Sequence, residues 1–106
     1  MTEIKTANFS IGQIVDHRIL HFRGVIVDID FYFLSCINKQ LHTFNHTPEQ
    51  SQLWYHLLID NTAYRIYVPE TDLYASDNAS AIIHPVLDSY FSQFRNGTYQ
   101  AKLLKN

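Results

Sequence analysis

Gly24-Val25-Ile26-Val27-Asp28-Ile29-Asp30 is the stretch on which the fold turns. It is rich in β-branched residues, which pack well on a pleated strand, and towards its end apolar and acidic residues alternate. Strict alternation puts Val25, Val27 and Ile29 on an inward face and Asp28 and Asp30 on an outward one. Upstream, residues 9–17 read as a strand with Ile11, Gln13, Val15 and His17 on one face, and Gly12 marks a turn or close backbone approach at its start. Downstream, Leu53–Ile59 and residues 63–68 read as two strands joined by a hairpin at Asp60-Asn61-Thr62. Pro69 ends the second of these by removing a ladder donor.

Between these pairs lie residues 34–52, polar and weakly periodic. Loops longer than about 12 to 15 residues are functional, mobile or partly helical, and the sequence leaves that choice open. Near the end, Pro85 suits a first helical turn, Val86, Leu87, Tyr90, Phe91 and Phe94 recur at helical spacing, and Asn96-Gly97 supplies a C-terminal stop. Residues 99–104 read as a final strand. Short consecutive strands with one late helix imply a mainly β chain folded as a small, partly open barrel. Its 106 residues fit one domain, with a core of about 9–100 and tails at 1–8 and 101–106.

Hydrophobic residues make up 46% of the chain and charged residues 17%, enough apolar mass for a core and too little charge for disorder. The formal net charge of -2 gives no broad basic field, so a nucleic-acid role requires a local patch. Six histidines make the surface potential pH-sensitive, because protonating them all takes the total from -2 to +4. Cys36 is the single cysteine, which excludes an intrachain disulfide and a four-cysteine zinc site and fits a reducing compartment. The start lacks the basic and apolar regions of a signal peptide, and no apolar run reaches membrane-span length; a soluble, cytoplasmic protein is expected.

Catalytic chemistry has little to stand on. The three glycines, Gly12, Gly24 and Gly97, follow neither a phosphate-loop nor a dinucleotide spacing. No G-x-S-x-G nucleophile turn occurs, and no catalytic residues are expected. Asp28 and Asp30 could hold a metal or form an acid and base pair, but two outward carboxylates read more simply as a solvated face. Cys36, His42 and His46, with Glu49 as a fourth ligand, form the sharpest zinc candidate; lacking paired cysteines, these histidines read as loop residues, and no metal or cofactor is expected. His17 and His56 fall in strands, where bonding to a backbone carbonyl is the ordinary role, and His84 is placed by the helix start it precedes. The aromatics are more informative: Trp54, Tyr55, Tyr64 and Tyr67, with Arg65 beside them, can offer a stacking and cation-π surface to bases or to a peptide. Alternation sends Tyr55 one way and Trp54 with His56 the other, so some of these rings belong to the core.

Gly12-x-x-Val15-x-His17, Phe22-Arg23-Gly24-Val25-Ile26-Val27-Asp28-Ile29-Asp30, Trp54-Tyr55-His56, Tyr67-x-x-Glu70-x-x-Leu73, and Ile83-His84-Pro85 before Tyr90-Phe91 together resemble the HspQ or YccV-like family, the hemimethylated-DNA-binding heat shock proteins. The resemblance spans residues 9 to about 99. Pro69 departs from it, standing where alanine is common. The resemblance implies a small SH3-like barrel, non-enzymatic, cytoplasmic and heat-induced in bacteria. It further implies two activities: binding hemimethylated DNA near the replication origin, with an influence on the level of the initiator DnaA, and acting as an adaptor or specificity-enhancing factor for the ATP-dependent protease Lon. A homo-oligomer, as a trimer, is also implied. The tail residues Lys102, Leu103, Leu104, Lys105 and Asn106 resemble the family's end and are the candidate protease-engaging segment.

Among the eight Lys and Arg residues only Arg18 and Arg23, helped by His21, cluster locally. A reader of duplex DNA neutralises several phosphates, and no residue here identifies a groove contact to a methyl group. The Lon adaptor role therefore ranks first and DNA binding second, with Arg18, His21, Arg23, Trp54, Tyr64, Arg65 and Tyr67 as the candidate DNA or partner contacts.

Overall fold

A computed structural model describes residues 7–31 and 53–102. The protein is mainly β, with seven strands among the described residues, in chain order: β1 (Ile14–His17), β2 (Arg23–Phe31), β3 (Leu53–Ile59), β4 (Arg65–Pro69), β5 (Leu73–Ala75), β6 (Phe91–Arg95) and β7 (Thr98–Ala101). A turn of helix, α1 (Leu87–Tyr90), precedes β6, and a 3-10 turn, Glu70–Asp72, links β4 to β5. Five strands form an antiparallel sheet in the order β4-β3-β2-β1-β5, and β6 and β7 form a separate hairpin. Among the described residues the sheet does not close, which keeps the fold on the open side of the expected barrel.

The sheet is apolar on both faces. One face carries Val15, Ile26, Leu53, Tyr55, Leu57, Ile59, Val68 and Leu73, with Phe9, Phe22, Ile29 and Ile66 packed against them. The other carries Ile14, Val25, Val27 and Leu58 beneath the β6–β7 hairpin, which supplies Phe91 and Tyr99, while Ile82 completes the cluster. Each fully buried aliphatic side chain contributes roughly 1.5 to 3 kcal/mol, so the hairpin is held mainly by burial.

A bulge corrects the expected pattern of β2. Ile26 faces Leu57 and Asp28 faces His56, so Val27 is an extra residue against β3. Val25, Val27, Asp28 and Asp30 consequently share one face, while Ile29 turns to the other with Ile26. Without that inserted residue Asp28 would point at the Tyr55 side, into the core. The same device corrects the expected helix. Phe91 faces Ala101 and Gln93 faces Gln100, so Ser92 is extra and Phe91 and Phe94 fall on one side of β6, both against Tyr99. Their three-residue spacing imitates a helix. Asn96 and Gly97, at φ 53° and 78°, form the β6–β7 turn, where two positive φ values match the twist of a tight hairpin.

The first strand is shorter than residues 9–17. Gly12 takes φ 94° and donates to Ile26 O at 2.8 Å, while Tyr99 donates to Gly12 O at 2.9 Å, which joins the hairpin to the sheet. Ile11 is left exposed, and Ile14 and Val15 are buried on opposite faces. The β3–β4 turn falls at Asp60-Asn61-Thr62 as expected, with Asn61 at φ 63°. Thr62 Oγ1 donates to Ile59 O at 2.8 Å and accepts from Tyr64 N at 3.0 Å, delaying β4 to Arg65. Strand β5 has no counterpart in the sequence reading, since three residues are too short for a periodic signal.

Candidate functional site

The face of the sheet that carries the β6–β7 hairpin is covered at one end only by described residues. At its other end the bulge and the alternation of β3 and β4 bring Asp28, Asp30, Trp54, His56 and Tyr67 together. Asp28 and Tyr67 flank His56 as its direct cross-strand neighbours. Tyr67 is the centre of an aromatic stack: its ring lies 5.1 Å from Trp54 at 29° and 4.5 Å from the His56 imidazole. Asp30 Oδ2 lies 3.1 Å from His56 Nε2 and accepts a hydrogen bond from the Tyr67 hydroxyl at 3.1 Å. Asp28 Oδ1 accepts from Ile29 N at 2.9 Å. Tyr55 is turned to the opposite face and fully buried, which fulfils the expected division of the aromatics.

The histidines are less uniform than expected. His56 meets a carboxylate rather than a carbonyl. His17 Nδ1 accepts from Ile19 N at 3.1 Å and Leu20 N at 3.0 Å, bracing the β1–β2 turn, and its Nε2 is 3.9 Å from Asp72. Buried His84 is the one that bonds a carbonyl, with Nε2 3.0 Å from Tyr64 O while Nδ1 accepts from Val86 N. Its position follows from this bond to the β3–β4 turn as well as from the helix start.

The Arg18, His21 and Arg23 cluster does not hold together as a basic patch. Arg23 donates to Asp60 Oδ2 at 2.9 Å and to the carbonyls of Asn78, Ser80 and Ala81, fastening the segment that carries Ile82. Asp60 returns the tie by accepting from Ile83 N at 2.8 Å. Arg18 donates to Thr71 O and lies over the Tyr74 ring at 5.4 Å, on the rim of an open groove of about 440 Å³ that also borders Asn8, Phe9 and Glu70. His21, at φ 59°, is exposed in the turn. Arg65 shares the Tyr67 face but is engaged by Tyr90, both as a hydrogen bond and with its guanidinium 5.7 Å from that ring. Tyr64 is exposed at the hairpin turn, apart from the Trp54–Tyr67 stack. Lys102 is exposed; Leu103, Leu104, Lys105 and Asn106, like Cys36, His42, His46 and Glu49, lie outside the described residues.

Sequence reasoning missed the joining of Asp28 and Asp30 to His56. The signal was present in the two carboxylates and a strand histidine, but only strand pairing across the bulge brings them together.

This fold and this face define a small, mainly β protein whose sheet carries an aromatic and acidic cluster at one end. The family described as hemimethylated DNA-binding protein YccV like matches residues 7–98, and the chain belongs to that family. No helix among the described residues is long and apolar enough to cross a membrane.

Proposed function

We propose that this protein is a non-enzymatic adaptor, or specificity-enhancing factor, for the ATP-dependent protease Lon, promoting degradation of selected proteins that include unstable DnaA. The observation that carries the reading is the composition of the sheet face that holds Asp28, Asp30, Trp54, His56 and Tyr67. Exposed Tyr67, stacked on half-buried Trp54, offers rigid aromatic area of the kind that protein interfaces favour, whereas Asp28 and Asp30 beside it repel a phosphate backbone. Arg23, the strongest member of the expected basic cluster, is engaged by Asp60 and three carbonyls. In this reading residues 102–106 engage the protease and the face around Tyr67 receives the delivered protein. An adaptor of this kind works by contacts that differ between weakly and strongly active protease, a coupling of typically about 1 to 3 kcal/mol.

Binding of hemimethylated DNA is the second reading. It draws on the family's description and on the β1–β2 turn, where Ile19 and Leu20 are 65% and 66% exposed between Arg18 and His21.

Reconstituted proteolysis separates the two: purified protein with Lon, ATP and a model substrate, with a hemimethylated duplex assayed in parallel. The adaptor reading expects faster turnover, lost on removing residues 102–106 and weakened by Trp54→Ala. Unchanged turnover, together with salt-sensitive retention of the duplex that Arg18→Glu weakens, reverses the ranking. Arg18 is the residue to reverse, because charge reversal at Arg23 would also break the Asp60 tie.

A further inference from the structure

We infer that Asp28, Asp30 and His56 form a surface site for a divalent first-row transition ion. The side chains come from two adjacent strands, and one ligand atom from each lies within 4.8 Å of the other two. Asp30 Oδ2 and His56 Nε2 are already 3.1 Å apart. Metal–ligand bonds of about 2.0 to 2.2 Å place neighbouring ligand atoms roughly 3 to 3.5 Å apart, so the set closes on an ion by a modest rotation of exposed Asp28. An ion at this position takes His56 through Nε2, with the proton of the neutral imidazole on Nδ1.

Charge points the same way. Two carboxylates stand side by side on one face, and among the described residues neither forms an ion pair with a lysine or arginine. The one nitrogen ligand selects the ion: calcium and magnesium prefer oxygen throughout, whereas an imidazole with two carboxylates suits zinc, nickel, cobalt or manganese. Among the described residues three protein ligands meet here, and the remaining positions fall to water. Rigidity comes from the sheet beneath, since the bulge at Val27 fixes Asp28 opposite His56 and the Tyr67 hydroxyl holds Asp30. The site does not depend on the adaptor reading.

Trp54 is the only tryptophan, and its stack on Tyr67 places it beside the site, so it reports binding directly. Nickel chloride titrated into the full-length protein is expected to quench Trp54 fluorescence saturably, with one equivalent bound by calorimetry. Asp28→Asn and His56→Gln are each expected to weaken this binding by about tenfold or more. Asp28→Asn keeps an Oδ1 acceptor for Ile29 N, so it removes charge without disturbing the strand. A variant carrying Cys36→Ser, His42→Gln and His46→Gln is expected to bind nickel like the parent. Non-saturating quenching, or saturable binding that survives Asp28→Asn and is lost in the triple variant, overturns the site.

Discussion

The two ends of one sheet face have opposite fates. At one end Val25, Val27 and Leu58 lie beneath Phe91 and Tyr99, and the hairpin that covers them is tied down by backbone bonds at Gly12 and by Tyr99, whose hydroxyl accepts from Ile82 N at 2.7 Å. At the other end Asp28, Asp30, Trp54, His56 and Tyr67 are knit together by side-chain bonds and ring contacts. The covered end is stabilised by removing apolar surface from water, while the other end joins polar side chains to one another. The difference arises within one strand: β2 changes from valine to aspartate at its bulge.

Gly12→Ala is the most direct way to break the covered end. A Cβ there would lie 2.0 Å from Tyr99 O, and the φ of 94° disfavours any side chain. Chemical denaturation should show a loss of about 3 kcal/mol or more, with the β6–β7 hairpin undocked. Arg23→Ala strikes the same end through the segment carrying Ile82. It leaves Asp60 without its cation and three carbonyls without a shared donor, and a loss of about 2 kcal/mol is expected, with Trp54 fluorescence in the folded state unchanged.

Tyr55→Phe sharpens the contrast with the smallest effect. Tyr55 and Tyr67 each donate to a carboxylate, but Tyr67 does so from an exposed position, whereas buried Tyr55 donates to Glu70 Oε2 at 2.5 Å. Burial, and then the Glu70 hydrogen bond and charge, push the Tyr55 hydroxyl well above the ordinary tyrosine value of about 10. The unfolded chain therefore loses this proton at a lower pH than the folded one. Its stabilising contribution is complete below about pH 10 and declines as the pH rises beyond that. Tyr55→Phe should cost about 1 kcal/mol at neutral pH and show a shallower alkaline decline in thermal stability than the parent. An equally steep decline would assign it to other groups.

Much of the frame was legible in the residues. The bounds of β3, the turn at Asp60-Asn61-Thr62 and the division of Tyr55 from Trp54 and His56 follow from alternation and turn chemistry, which act over a few residues. Two inserted residues, Val27 and Ser92, defeated the same rule. One moved Ile29 to the opposite face, and the other gave Phe91 and Phe94 a helical spacing inside a strand. A bulge exists only relative to the strand it faces, so no pattern within one segment reveals it.

The candidate site divides along the same line. The sequence by itself determined that the chain is mainly β, that its composition supports a buried core, and that aromatic and acidic residues occupy alternate positions of β2 and β3. Those properties depend on each residue's side chain and its near neighbours. Only the tertiary structure decided that Asp28 and Asp30 meet His56 and that Arg23 is tied to Asp60. These pairs are 26 to 37 residues apart in the chain, and their meeting is fixed by strand register and by the segment folded over β2.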